Sequence, residues 1–482
     1  MTATERAGEE PTLDPEDWAQ FRAEGHRMLD DMLDYLQQLR ARPVWRPMSD
    51  GLRASFREPL PKTPAALSEV YRDFLERILP YGSGNTHPAF MGWVQGAGTP
   101  VGMLAEMLAA GLNPNCGGRN HAAIEVERQI TAWAREIFDF PPQASGLFVT
   151  GSSIANFIAL IVARTARLGS ESRRDGIAST GQRLTAYVSA AAHACIPQAM
   201  ELAGFGRAAL RLIPTDQGQR IDREALRATI AADRRAGAVP FFLIGNAGTV
   251  DTGAIDDLDA LAELAEAQGL WFHIDGALGA LAVLAPSVKP LFKGIERAAS
   301  IAFDFHKWGQ VPYDAGYILV RDGALHRAAF ASEAAYLGRE TRGLAGGSPW
   351  PCDYGPDLSR GFRALKTWFT LKVHGTDRLG AAIGRSCALA QYLKRRVEAE
   401  PRLELMAPVA LNIVCFRHRG ADPDRLNAAI VVDLQEQGIA APSMTRIGGA
   451  VAIRACLINH RTARRDIDAL IEAVLARGGR SA

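Results

Sequence analysis

No charge of one sign dominates this chain: 54 lysines and arginines stand against 53 aspartates and glutamates over 482 residues, a net charge of +1. That balance offers no electrostatic pull toward nucleic acid or an anionic membrane, so neither is expected as a partner. Long apolar runs are also missing. The hydrophobic stretches are strand-length or broken by charge, short of the ~20 residues that span a bilayer. The N-terminus, Met-Thr-Ala-Thr-Glu-Arg-Ala-Gly-Glu-Glu, lacks the apolar region of a signal peptide. Cysteine is sparse. Its six positions (116, 195, 352, 387, 415 and 456) include no Cys-x-x-Cys pair, so we expect no metal site and reduced thiols in a cytoplasm. There is no internal repeat or low-complexity tract.

What is present is core-forming material: 48% of the residues are hydrophobic, and the chain is too long for one small domain. Residues 12–40 carry Trp18, Phe21, Met28, Met32, Tyr35 and Leu36 at helical spacings, which predicts an amphipathic helix. Two prolines in residues 41–47 then break it. From about residue 86 to 372, strand-like runs alternate with helical patterns, the mark of a mostly parallel α/β sheet. Near His374-Gly375 the chain is expected to enter a small α/β domain with strands at 411–417 and 450–457. The expected division is therefore 1–85, an N-terminal helical arm; 86–372, a large domain; and 373–482, a small C-terminal domain.

Within the large domain several strand ends carry reactive groups. Lys307 follows the apolar run Ser-Ile-Ala-Phe-Asp-Phe-His (300–306) and precedes Trp308. Burial among such neighbours would lower its pKa and make it a nucleophile or Schiff-base partner. The run Leu-Trp-Phe-His-Ile-Asp (270–275) reads as a buried parallel strand ending in Asp275, with Gly276, Ala277, Gly279 and Ala280 after it. Ligands of open α/β sheets bind beyond such strand ends. A Schiff-base lysine and an acid for a pyridinium nitrogen are what pyridoxal phosphate most needs from a protein. Gly151, Ser152 and Ser153 open a helical pattern, which suits a phosphate and equally a simple Ser N-cap. His193 is expected to end the strand at 186–195 amid small residues, and Thr249 stands in a Gly/Thr loop after the apolar run from Phe241.

Taken in order, these segments resemble the group II pyridoxal-phosphate-dependent amino-acid decarboxylases, which include aromatic L-amino-acid, glutamate, histidine and cysteine sulfinate decarboxylases. The likeness runs from about residue 15 to near the C-terminus. It is carried by His306-Lys307-Trp308, by His273 to Ala277, by His193, by Gly151 to Ser153, by Gly248-Thr249 and by the Arg-rich 359–368. The resemblance implies an aspartate-aminotransferase-like fold with pyridoxal 5'-phosphate bound at a homodimer interface. It implies that Lys307 holds the cofactor as a Schiff base and that Asp275 keeps the ring nitrogen protonated. His193 would stack on one ring face and Ala277 on the other. Thr249 and His306 would lie near ring substituents and substrate, and Tyr336, on a mobile 332–355 loop, would deliver a proton to Cα.

Asp304 replaces the family's asparagine before His-Lys, which changes a contact near the phosphate or the lysine. Residues 90–98, with Trp93 and Gln95, and 112–121, with Asn115, Arg119 and His121, would line the substrate pocket from across the dimer interface. The second stretch is more polar here than in the aromatic decarboxylases, and Arg119 could bind an acidic side chain bidentately. The expected reaction is decarboxylation of an aromatic L-amino acid to CO2 and the amine. An acidic substrate, or an oxidative aldehyde-forming variant, stands as the alternative.

Overall fold

The computed structural model describes residues 12–332 and 339–479. Twelve strands among the described residues form two sheets. In chain order they are β1 (Phe90–Met91), β2 (Ser145–Val149), β3 (Leu184–Ser189), β4 (Leu210–Ile213), β5 (Val239–Asn246) and β6 (Trp271–Asp275). They continue with β7 (Ser300–Asp304), β8 (Gly316–Val320), β9 (Leu403–Leu405), β10 (Ile413–His418), β11 (Ala441–Ile447) and β12 (Ala450–Cys456). The seven-stranded sheet has the order β2-β8-β7-β6-β5-β3-β4. Strands β3 to β7 pair in parallel, while β8 runs antiparallel to both of its neighbours. This is the mostly parallel α/β sheet that the alternating pattern implied, within the aspartate-aminotransferase-like fold that the resemblance implied.

Alternation along β6 decides what each face carries. Phe272 and Ile274 enter one apolar layer together with Phe303, Phe305 and Trp308. The helix Ala122–Phe138 closes that layer, and Phe138 meets Phe303 at 5.0 Å between ring centroids. Burying one such side chain stabilises by about 1.5–3 kcal/mol. The opposite face is covered by the helix Ser152–Leu168, whose Ala155, Ile158, Ala159 and Val162 pack with Val188, Ile244 and Ala302. Trp271, His273 and Asp275 project toward that side. In the register, Asn246 stands opposite Asp275 and Asp275 opposite Ala302. The carboxyl ends of β5 and β6 are therefore level and β7 runs two residues further, to Asp304, and ligands of open α/β sheets bind in the crevice beyond such ends.

The second sheet has the order β1-β11-β12-β10-β9, with β1 parallel to β11. The short β1, which the sequence pattern assigned to the large domain, thus pairs with the C-terminal sheet. The helix Arg363–Glu398 crosses from one sheet to the other and breaks at Gly375, where φ is 71°. That left-handed backbone favours glycine. The N-terminal helix spans Trp18–Gln37, capped by the Asp17 carboxylate, and none of its residues is buried. No helix among the described residues is long and apolar enough to cross a membrane. All six cysteines are unpaired.

Two expected strand ends move. The strand β3 stops at Ser189, four residues before His193, because Ser189 turns the chain: its hydroxyl accepts from the Ala191 N–H and its carbonyl from the Ala192 N–H. Likewise β7 stops at Asp304, and Lys307 lies in the following turn, with its N–H donating to the Asp304 carbonyl.

Candidate active site

Beyond the strand ends lies a cavity of about 430 Å³ that opens between the two sheets. Lys307 lies on its wall. Its Nζ is 2.8 Å from Asp304 Oδ2, and the aspartate is nearly inaccessible to solvent. The other Asp304 oxygen accepts the Ser152 backbone N–H at 2.8 Å, so this carboxylate joins the lysine turn to the first residue of the helix Ser152–Leu168. Burial alone would lower the Lys307 pKa, as the sequence suggested. The Asp304 charge outweighs it and holds the ammonium above the ordinary lysine value. The apolar neighbours also point elsewhere, since Phe305 and Trp308 sit in the core layer behind the turn.

His306 is fixed from behind. Its Nδ1 accepts from the Ala315 N–H at 3.0 Å, which leaves the proton on Nε2, 3.8 Å from Asp304 Oδ2. Burial holds its pKa below the ordinary histidine value. The Tyr313 ring lies 4.3 Å from the His306 ring. Gly96 backs this turn so closely that an added Cβ would stand 2.0 Å from the His306 carbonyl oxygen. At the start of β8, a Cβ on Gly316 would meet the Gly151 Cα at 2.3 Å. Both contacts require glycine for reasons of space.

Asp275 is buried at the end of β6. Burial pushes its pKa up, against the Ala277 N–H and the positive charge of Lys307. One carboxylate oxygen accepts from the Ala277 N–H at 3.1 Å and the other from the Asn156 amide at 3.2 Å. His193 lines the cavity, and its Nδ1 accepts from the Cys195 N–H. Ser153, Thr249 and Ala277 line it as well. The Thr249 hydroxyl is engaged within its own loop, with Thr252 and the Ala254 N–H.

The donor set suits pyridoxal phosphate on an observation independent of any likeness. The Ser152 hydroxyl is buried with no hydrogen-bond partner among the described residues, at the N-terminus of a long helix and on the cavity wall. A buried polar group left unpaired costs about 1–3 kcal/mol, and a phosphate oxygen would satisfy it. A lysine and a buried carboxylate share the same cavity with it.

The expected pocket residues divide. Trp93 and Gln95 line the cavity, whereas Asn115, Arg119 and His121 do not reach it within this chain. The Asn115 side chain accepts from the Gly117 and Arg360 N–H groups. Arg119 lies over the Trp350 ring at 4.6 Å, and His121 Nε2 is 3.2 Å from the Asn115 carbonyl. Their stretch is held by the buried Arg360–Glu127 pair, since Arg360 also donates to the Cys116 and Phe148 carbonyls. Tyr336 lies outside the described residues.

The sequence reading gave no role to Tyr313, Ser443 and Arg454, which line the cavity, or to Asn156, which stands behind Asp275. Two left a trace. Asn156 is a lone amide in an apolar helix, and Arg454 a lone guanidinium in the strand Ala-Val-Ala-Ile-Arg-Ala-Cys.

Comparison with known proteins agrees with this site. The model of the pyridoxal-dependent decarboxylase conserved domain matches residues 50–419, and the chain belongs to that family. An aromatic-L-amino-acid decarboxylase of Bacillus atrophaeus is 31% identical over 457 residues, 93% of either chain. A phenylacetaldehyde synthase of Arabidopsis thaliana is 29% identical over 427 residues, 85% of either chain. Among solved structures, Oryza sativa TDC with PLP and tryptamine superposes with a TM-score of 0.88 at 23% identity, covering 98% of this chain and 100% of that one. The protein is accordingly a pyridoxal-phosphate-dependent amino-acid decarboxylase. When bound, that cofactor supplies an electron sink for the charge left at Cα as CO2 departs.

Proposed function

We propose that this chain decarboxylates an aromatic L-amino acid to CO2 and the primary amine, with Lys307 as the Schiff-base lysine and Asp275 facing the ring nitrogen. The observation that carries the aromatic reading is Trp93. Its indole lines the cavity while 55% of the residue stays exposed, an apolar surface for a substrate ring. In this reading Asp304 holds the lysine proton, His193 would lie against the bound ring, and His306 would present Nε2–H toward the substrate. Ser152, Ser153 and the helix N-terminus take the phosphate, with Thr249 and Ala277 completing the walls. Tyr336 donates the proton to Cα.

The chain works in the cytoplasm as a homodimer. Support for the dimer comes from the helix Trp18–Gln37, which leaves Trp18, Phe21 and Leu33 exposed and buries nothing. In a dimer Asn115, Arg119 and His121 would face the partner's cavity. A solution mass of one chain would sink this arrangement.

A second reading, an acidic substrate, is favoured by Arg454. This buried guanidinium lines the same cavity and donates to the Val250, Asp251 and Trp93 carbonyls and to Ser443 Oγ. No carboxylate lies within ion-pair distance of it among the described residues. A panel of aromatic and acidic L-amino acids, scored for CO2, amine, ammonia, aldehyde and peroxide, separates the readings. CO2 and amine in equal amounts from aromatic substrates is the expected result. Turnover confined to acidic substrates selects the second reading, and aldehyde with ammonia and peroxide selects an oxidative enzyme.

A further inference from the structure

A line of buried polar groups runs away from Asp275 through the interior, between the sheet and the helix above it. The Trp271 indole N–H donates to Ser300 Oγ at 2.8 Å, and Ser300 Oγ is 2.8 Å from His273 Nδ1. His273 Nε2 is 2.8 Å from Asn156 Oδ1, and Asn156 Nδ2 donates to Asp275 Oδ2 at 3.2 Å. His273 and Ser300 are wholly buried, and Asn156 and Asp275 nearly so. Three strand and helix patterns bring them together. Trp271, His273 and Asp275 alternate onto one face of β6, the register sets Ser300 opposite His273, and Asn156 sits one turn into the helix Ser152–Leu168.

The chemistry of the donors gives this line a direction. An ionised carboxylate only accepts, so Asn156 must present its NH2 to Asp275. Its oxygen then faces His273 and needs a donor, which places the imidazole proton on Nε2. His273 Nδ1 is left as an acceptor for the Ser300 hydroxyl proton at 2.8 Å, the closer of its two contacts with Ser300, the other being the carbonyl oxygen at 3.1 Å. The hydroxyl oxygen in turn accepts from Trp271, a donor with no alternative role. In this sense each contact along the line from Trp271 to Asp275 pairs one donor with one acceptor. With the amide reversed, two oxygens would face each other across the Asn156–Asp275 contact. The remaining Asn156 N–H reaches Cys195 Sγ at 3.4 Å, so the amide is held at all of its polar positions. Burial lowers the His273 pKa to about 3, which keeps the imidazole neutral and its tautomer free to follow its partners.

We infer that Asn156 is a positioning residue for Asp275, locked in the donating orientation by the relay from Trp271 through Ser300 and His273. The relay keeps a buried carboxylate ionised and aimed without bringing a second charge into the site. The inference rests on Asp275 facing the cofactor ring nitrogen, as proposed above, and Asp275→Asn is the control for that reading.

The test uses the full-length holoenzyme and compares Asn156→Ala, Ser300→Ala and Asp275→Asn. The readouts are the cofactor dissociation constant, the absorbance spectrum of the bound cofactor and the protonation of its ring nitrogen by 15N NMR. Asn156→Ala is expected to weaken cofactor binding about tenfold, the scale of one hydrogen bond to a buried charged group, and to shift the spectrum toward the unprotonated ring. Ser300→Ala, two hydrogen bonds farther out, is expected to shift the spectrum in the same direction with about a two- to fivefold loss of affinity. A merely structural role would lower the melting temperature and leave spectrum and ring protonation alone. Folded Asn156→Ala with wild-type affinity and spectrum overturns the inference. If that variant does not fold, a wild-type spectrum in Ser300→Ala does so. If Asp275→Asn itself leaves ring protonation unchanged, the assignment of Asp275 fails instead, and the two failures are told apart.

Discussion

Replacing Asp304 by asparagine tests how the lysine turn stores its proton. Asparagine is nearly isosteric, and its Oδ1 can still accept the Ser152 N–H that Asp304 now accepts at 2.8 Å. What it removes is the charge 2.8 Å from Lys307 Nζ. A hydrogen bond to a charged group contributes about 1.5–3 kcal/mol. Because Asp304 raises the Lys307 pKa, the native amine is protonated at neutral pH, and the neutral form that can attack an aldehyde appears only as pH rises toward a value above that of ordinary lysine. Without the charge this rise falls at lower pH. At neutral pH the neutral fraction should therefore grow by about 10- to 150-fold, the same free energy expressed as a ratio. The assay is stopped-flow absorbance on mixing apoprotein with pyridoxal 5'-phosphate across pH. Pyridoxal, which has no phosphate, is run in parallel because Asp304 also accepts from Ser152, the residue proposed to hold the phosphate. Faster capture of both aldehydes supports the lysine argument. Faster capture of the phosphate form alone assigns the effect to charge repulsion, and an unchanged pH profile for pyridoxal refutes the reasoning.

Three other outcomes are expected. Lys307→Ala should abolish covalent cofactor capture and reduce CO2 release to background, and full turnover in that variant would remove the Schiff-base assignment. Asp275→Asn should lower the rate constant for CO2 release by at least about a hundredfold, the scale of one lost preorganised electrostatic contact; a loss under threefold would show that the carboxylate does not face the ring. In the buried pair, Arg360→Met or Glu127→Leu alone should destabilise by about 3–5 kcal/mol because each leaves an uncompensated charge, whereas the double variant should recover most of that loss. Denaturant midpoints of the three variants check this, and additive effects would show that the two side chains are not coupled.

Much of the site could be read along the chain because its signals are local. The apolar run of β6 ending in an acid marks Asp275 as a strand-end carboxylate, and the turn after β7 holds His306 and Lys307 within three residues of Asp304. The serines of the helix entrance were legible for the same reason. Groups whose roles depend on a distant partner were not. Asp304 looked like a changed contact of unknown character until Ser152, 152 residues away, was placed on its carboxylate. The lowered lysine pKa expected from apolar neighbours failed likewise, since sequence adjacency does not say which way Phe305 and Trp308 point.

By itself, the sequence determined the α/β class and the identities of the lysine and acid that line the cavity, consequences of short-range periodicity and turn chemistry. Only the tertiary structure decided that Asn156 faces His273 and Asp275, that Arg454 from β12 reaches the cavity, that β1 joins the C-terminal sheet, and that Asn115, Arg119 and His121 stay outside the cavity of their own chain. Hydrogen bonds and ion pairs between residues far apart in sequence depend on strand register and layer packing, which bring those groups within about 3 Å of one another. Local pattern places a residue on a face. Register and packing give it its partner.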